Sequence, residues 1–190
     1  MHRLIVIAML AGLAGCFTAS EPKISHWPMT FAVDSVSLAS AEKPSYGVAR
    51  LMQIEVRSPF DNPSLAVARA DGTLAFDPLN EFAASPGLLL RGVVYDSLAA
   101  SGKFRAVVPG GSVAKAEFAL EVSVVRLCLD CQEEGVRRAE CELSIRLLRD
   151  REIVKTAQGT GEADALAGDY GQSFSKAVSA ALASALSKLD

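Results

Sequence analysis

From residue 29 onward the chain alternates apolar and polar positions in short runs, and the period lengthens in two places. Phe31 and Val33 in "MTFAVDSVSL" (29–38) mark one strand; Leu51, Gln53, Ile54 and Val56 in "ARLMQIEVRS" (49–58) mark a second, its alternation broken by Met52. The prolines, Asp and Asn of "SPFDNP" (58–63) predict a loop. In "SLAVARADGTLAF" the pair Asp71-Gly72 lies between two apolar runs and predicts a hairpin. Asp77-Pro78 reads as the opening of a short helix through Phe82. The spacing then becomes helical. Leu90, Val94 and Leu98 recur every four residues, with Ser85-Pro86 as N-cap and first position and Ser101-Gly102 as the stop.

Strands return after that helix: "FRAVV" (104–108), then a "PGGSVAKA" loop. "EFALEVSVVRLCL", "RRAECELSIRLLR" and "EIVKTAQGTGEA" follow, the last pair joined by an Asp150-Arg151 turn. These three predict an antiparallel meander. A closing helix from about 170 to 189 carries the stripe Phe174, Val178, Leu182, Leu186 and Leu189. Its small residues, "SAALASALS", permit close approach to a sheet. Strands and helices come in blocks without regular βαβ alternation. That order predicts an α+β fold: a two-layer domain, a mostly antiparallel sheet with two main helices packed on it.

The first 28 residues follow another rule. Arg3 supplies a positive charge and an apolar run follows, ending in Leu13-Ala14-Gly15-Cys16. Residues 4–15 are too few to cross a bilayer, which takes about 20. A charged start, a short apolar centre and small residues before a cut point describe a signal peptide. Residues 17–28 hold Thr, Ser, Glu, two prolines and Lys, a composition that buries no core. The expected division is therefore a signal peptide at 1–15, a tether at 16–28 and one domain at 29–190. A dozen extended residues reach roughly 40 Å.

Leu13, Ala14, Gly15 and Cys16 resemble a bacterial lipobox. The resemblance implies that Cys16 receives a diacylglyceryl group, that cleavage precedes it, and that its new amine is acylated. Phe17, rather than an aspartate, follows the cysteine. In enterobacterial lipoproteins this resembles the class sorted to the outer membrane. One acyl chain holds only reversibly, whereas two or three give a durable anchor.

Removal of residues 1–15 leaves 175 residues, with 18 Lys and Arg against 22 Asp and Glu. A net charge of about −4 announces no nucleic-acid surface, and no second long apolar run follows the first. Catalytic and cofactor patterns are sparse. The mature chain has one histidine, His26, which falls in the tether and so makes a poor general base. Gly159-Thr-Gly161 begins a GxGxxG-like run but has Asp164 at the third glycine, and Gly110-Gly111-Ser112 lacks phosphate-loop spacing. Cys128, Cys131 and Cys141 offer three metal ligands without an obvious fourth. The expectation is no enzyme, no cofactor and no metal.

A secreted context permits disulfides. With Glu134-Gly135 as the turn, Cys128 and Cys141 lie equally far from it, which makes them a candidate cross-strand bridge. A bulge at the Val124-Val125 doublet would instead turn Cys128 outward and favour Cys131. A redox-active Cys128-Leu-Asp-Cys131 is the alternative, although such motifs usually open a helix.

Residues 56–109 are similar to the ABC-type transport auxiliary lipoproteins, the paraquat-inducible lipoprotein C group. The residues that carry the likeness are Pro59, Phe60 and Asp61; Leu65 and Arg69; Glu81 and Phe82; and Ser101, Gly102, Phe104 and Val107. The lipobox, the meander and the Ala/Leu-rich last helix match in order. Ala68 stands where the family often has tyrosine, Phe82 where it often has tryptophan, and the cysteine hairpin is not a family hallmark. The resemblance implies a non-enzymatic lipoprotein on the periplasmic face of the outer membrane. There it would receive the distal end of an MCE-domain protein served by an ABC-type transporter. Assembly with copies of itself stays open. The rival classes are a lipoprotein that scaffolds a cell-wall enzyme and an anchored thiol-redox module.

Pro59, Phe60 and Asp61 form the candidate partner-binding loop. Prolines limit the entropy such a loop loses on binding, so Phe60 is either an exposed anchor or a side chain folded back over the sheet edge.

Overall fold

The chain's computed structural model describes residues 22–28, 43–165 and 168–189. The signal peptide expected at 1–15, the expected lipidation site Cys16 and the strand expected at 29–38 lie outside them. Among the described residues, eight strands and two helices follow the order β1 (Ser25–Trp27), β2 (Tyr46–Val56), β3 (Ser64–Arg69), β4 (Leu74–Phe82), α1 (Pro86–Ala100), β5 (Phe104–Pro109), β6 (Phe118–Cys131), β7 (Arg138–Arg149), β8 (Glu152–Asp164) and α2 (Tyr170–Ser187).

β6 is the spine. One edge pairs antiparallel with β7, which pairs antiparallel with β8, giving the expected meander. The other edge is shared end to end. β2 runs parallel along its first half and β3 parallel along its last three residues. From there the sheet forks. β5 lies beside β2 in parallel, while β4 and then β1 extend outward from β3. The fold is α+β as expected, and the sheet is mixed, since β2 and β3 both join the spine in parallel.

Both helices pack on one face of the sheet. The stripe residues Leu90, Val94, Leu98, Phe174, Val178 and Leu182 are all 0–1% exposed and join the strands in one core. α2 sits unusually low on β8. A Cβ on Gly159 would stand 2.0 Å from the Ala181 carbonyl oxygen, and one on Gly161 2.1 Å from that of Ala177. The small helix residues that the sequence supplies thus meet glycines on the strand, backbone nearly against backbone.

Three expectations change. Residues 77–82 continue β4 and form no helix. The Asp77 carboxylate accepts from the Leu79 and Asn80 amides at 2.8 and 3.2 Å and from the Asn80 side chain at 2.9 Å. This Asx turn absorbs Asp77-Pro78 as a bulge in the strand. The tether shortens, because Ser25–Trp27 pairs with Asn80–Phe82 as a sheet strand. Trp27 donates to the Asn80 side-chain oxygen at 2.9 Å and meets the Tyr170 ring edge-on at 5.7 Å. The Ser85 hydroxyl makes no capping bond at α1. The Gly87 amide in the first turn instead donates to Asp61, at 3.4 Å.

Candidate functional site

The loop 57–63 is held by the structure around it. Phe60 donates its amide to the Arg57 carbonyl at 2.8 Å, and Asn62 accepts from the Ser64 amide at 2.9 Å. The Phe60 ring is half-buried. It packs on the main core and on a small second cluster, Ala66, Ala68 and Cys128, on the sheet face away from the helices. Asp61 places its carboxylate at the N-terminus of α1, where the helix dipole favours a negative charge. The folded-back reading of Phe60 therefore holds, and the exposed-anchor reading is corrected. The loop joins β2 to β3 and ties both to α1.

The cysteines do not meet. β6 carries a bulge between Val124 and Arg126, and beyond it Leu127 faces Cys141 while Cys128 faces Glu140. Paired residues share a face, so Cys141 points into the main core and Cys128 into the small cluster on the other side. Cys131 shares the face of Leu127 but lies four positions beyond it, about 13 Å along the strand. A bridge needs Cα atoms within about 7 Å and Cβ vectors that converge. All three thiols are free. The expected bridge is corrected, and the bulge that would turn Cys128 outward is the geometry found.

Burial is the main cause that pushes the Cys128 and Cys141 thiols up to about 12. At Cys128 the Arg126 guanidinium opposes that shift and Glu140 adds to it. Cys131 is raised as well, again by burial first. A redox pair needs a lowered pKa at its attacking thiol. Cys128 and Cys131 lie on opposite faces of β6 and both thiols are raised, an arrangement unlike that of an attacking thiol beside its partner.

His26 lies in β1, not in a tether. Its Nδ1 stands 3.8 Å from Glu81, whose other oxygen accepts from the Ser64 hydroxyl at 3.3 Å. A carboxylate stands between hydroxyl and imidazole here, whereas nucleophile activation of the serine-histidine kind puts the imidazole beside the hydroxyl. Among the described residues no three His, Cys, Asp or Glu side chains gather as a metal site.

Open grooves mark the surface of the described residues. An open groove of about 680 Å³ runs between α1 and the end of β5, with Met52, Leu88, Arg91, Tyr95 and Pro109 on its walls. It opens where β5 stops at the Leu51–Pro109 pair and β2 bulges at Met52 and Gln53. That interruption of the apolar alternation is visible in the sequence. Arg50 gathers the loop after β5 by donating to the carbonyls of Gly110, Ser112 and Ala114.

Sequence reasoning missed a second exposed apolar group. Leu74 and Phe76 of β4 are 37% and 41% exposed, Leu79 is 41% and Ile24, just before β1, is 43%. The signal was present in the alternation of "TLAFDPL", which was spent on a hairpin and a helix start. Among the described residues no helix is long and apolar enough to cross a membrane.

No family model matches the chain, and no curated protein does. Among solved structures, the fold is similar to that of a Xanthomonas campestris protein of the DUF330 family model, with TM-score 0.57 and 21% identity over 88% of this chain and 87% of that one. It is similar also to the crystal structure of an uncharacterized protein, with TM-score 0.59 and 11% identity over 88% and 96%. A PelC dodecamer from Paraburkholderia phytofirmans aligns at TM-score 0.44 and 14% identity over 78% and 90%, too loosely to argue from. The first two likenesses are likenesses of fold.

Proposed function

We propose that the chain is a lipid-anchored, non-enzymatic auxiliary subunit of an MCE/ABC-type intermembrane lipid transport system, on the periplasmic face of the outer membrane. The observation that carries this reading is the 56–109 segment. Its residues similar to the auxiliary lipoproteins fall at the joints of the fold. Leu65 and Phe82 are 0% and 2% exposed, Phe104 and Val107 are buried, and Gly102 closes α1 at φ +66°. Asp61 faces the start of α1. A likeness built on joints concerns the architecture as a whole, which a chance run of loop residues would not reproduce.

The Leu13-Ala14-Gly15-Cys16 sequence supports the anchor. Acyl chains at Cys16 would hold a domain whose described part carries no membrane-spanning helix. In this role the chain does its work by position. It keeps a rigid α+β body at one membrane while an elongated partner brings lipid from the other.

Two measurements test the reading in parts. A fatty-acid analogue fed to cells should label the parent protein and not Cys16→Ala, which should leave the membrane fraction. The purified acylated protein should co-elute with the MCE-domain protein of the same host. Label without co-elution keeps the lipoprotein and removes the transport role. Label that persists in Cys16→Ala removes the anchor.

A further inference from the structure

We propose that Ile24, Leu74, Phe76 and Leu79 form a strip that rests on the lipid surface holding Cys16, so that the domain is oriented as well as tethered. The inference rests on the lipoprotein reading above and goes beyond it by naming the face turned to the membrane.

The strip is made by strand register. β1 runs parallel to β4 with Ser25 opposite Asn80, so Ile24 and Leu79, one position earlier on each strand, stand side by side. Leu74 pairs with Ala68 and Phe76 with Ala66, on the sheet face away from the helices. The small alanines leave the larger side chains proud of that face. Elsewhere the same face is charged, with Arg126–Glu140 at 2.7 Å and Arg146–Glu121 at 3.4 Å. Met52 on β2 and Ile153 and Val154 on β8 are exposed as well, but four of the nine exposed large apolar side chains among the described residues, Ile24, Leu74, Phe76 and Leu79, gather on the β1–β4 side of the fork. Leu79 is held outward by the Asx turn of Asp77, and the turn is fixed in its place by the Trp27–Asn80 bond.

Chain connection says what covers the strip. Only eight peptide links separate Cys16 from Ile24, a reach of at most about 29 Å. The lipid anchor therefore leads directly into the arm that exposes apolar side chains. Val113, in the loop after β5 and fully exposed, lies on the other arm of the fork. A tether alone would leave every face of the domain equally free to meet the bilayer. Apolar side chains at the end of the tether break that equivalence, because burying them among acyl chains and headgroups removes them from water. Lys23 and Arg69 flank the strip with positive charge, and Asp71 marks the hairpin tip with a negative one. A lipid surface fits this mixture of apolar centre and charged margin.

The test uses full-length acylated protein in phosphatidylcholine/phosphatidylglycerol vesicles with brominated acyl chains, which quench tryptophan on contact. The parent has one tryptophan, Trp27, as its background. Phe76→Trp should add emission that the bromolipid quenches by half or more, while Val113→Trp should add emission that it leaves unchanged. Equal quenching at both positions, with the protein still bound to vesicles, overturns the proposal. So does protection of position 76 that appears only as protein concentration rises, which assigns the strip to a second copy. Intact mass is measured on the same samples. A protein without acyl groups removes the lipoprotein reading and the orientation with it. An acylated Phe76→Trp protein whose added emission stays unquenched removes the orientation alone.

Discussion

Replacement of Gly161 by alanine should unseat α2 from β8. The new Cβ would lie 2.1 Å from the Ala177 carbonyl oxygen, 2.5 Å from the Ala181 nitrogen and 2.8 Å from the Ala180 Cβ. Two of those atoms are backbone, so no rotamer change relieves the clash, and α2 must retreat by roughly 1 Å to restore ordinary contact. Phe174, Val178, Leu182 and Leu186 would retreat with it, and all are at most 2% exposed. A gap of that size forfeits about a quarter to a half of each contact's dispersion energy. Overpacking alone costs about 1–3 kcal/mol. With the loosened stripe included we expect about 3–5 kcal/mol. In a domain of this size each kcal/mol moves the Tm by about 2–4 °C, so a fall of roughly 10 °C should appear in thermal melts followed by far-UV circular dichroism. Gly92→Ala in α1 is the matched control. Its Cβ meets nothing within 4 Å, and helix propensity should make that variant more stable by about 1 kcal/mol. A Gly161→Ala melt within about 3 °C of the parent would refute the close-packing argument.

Other perturbations follow from the same geometry. Phe60→Ala should cost about 2 kcal/mol in urea titration, less than a fully buried phenylalanine, because the ring is half-buried between two clusters; an unchanged midpoint would return Phe60 to the surface. The Cys128 and Cys141 thiols, raised to about 12, keep their protons in the folded chain above the pH where the unfolded chain loses them, at roughly 9. Stability should therefore fall as pH rises from about 9 to 12, and replacing both residues with alanine should flatten that slope; an equal slope in the variant excludes the thiols as its source. Iodoacetamide at about pH 8, just below the ordinary thiol pKa, should modify Cys131 before the two buried thiols, as peptide mass mapping will show. Asp150 and Arg151 hold φ of +53° and +70° in the β7–β8 turn, so Arg151→Gly should raise stability by about 1 kcal/mol, and a lowered Tm would count against relieved strain.

Most strands and both long helices were legible because one side of each is buried. Leu90, Val94 and Leu98 announce a helix by spacing, and Cys141, Leu143, Ile145 and Leu147 announce a strand by alternation, all of them buried. Asp77-Pro78 misled because the same pair that opens a helix also opens an Asx turn, and only the partner strands decide between them. The thiol pairing was misjudged for a related reason. A single bulged residue, Val125, exchanges the faces of everything beyond it, and local sequence marks it only as a doublet. Gly159 and Gly161 read as a GxGxxG-like run broken at Asp164. Their role depends on a helix that arrives later in the chain, which no window around them contains. The exposed strip was hidden in the same way, since Ile24 and Leu79 are neighbours only through the pairing of β1 with β4.

β6 also sets the order in which the molecule can come together. Ala49 finds Phe118 across the sheet, and Val67 finds Leu129, each pair more than 60 residues apart in the chain. The β1–β4–β3 and β2–β5 arms thus cannot be joined into one sheet until residues near 131 have been made, and loop closures of that length slow folding. A polypeptide with its spine so late cannot complete its core while most of it is synthesised. The signal peptide expected at residues 1–15 would exploit that delay, because a body without its finished core stays threadable through a membrane and assembles on the far side.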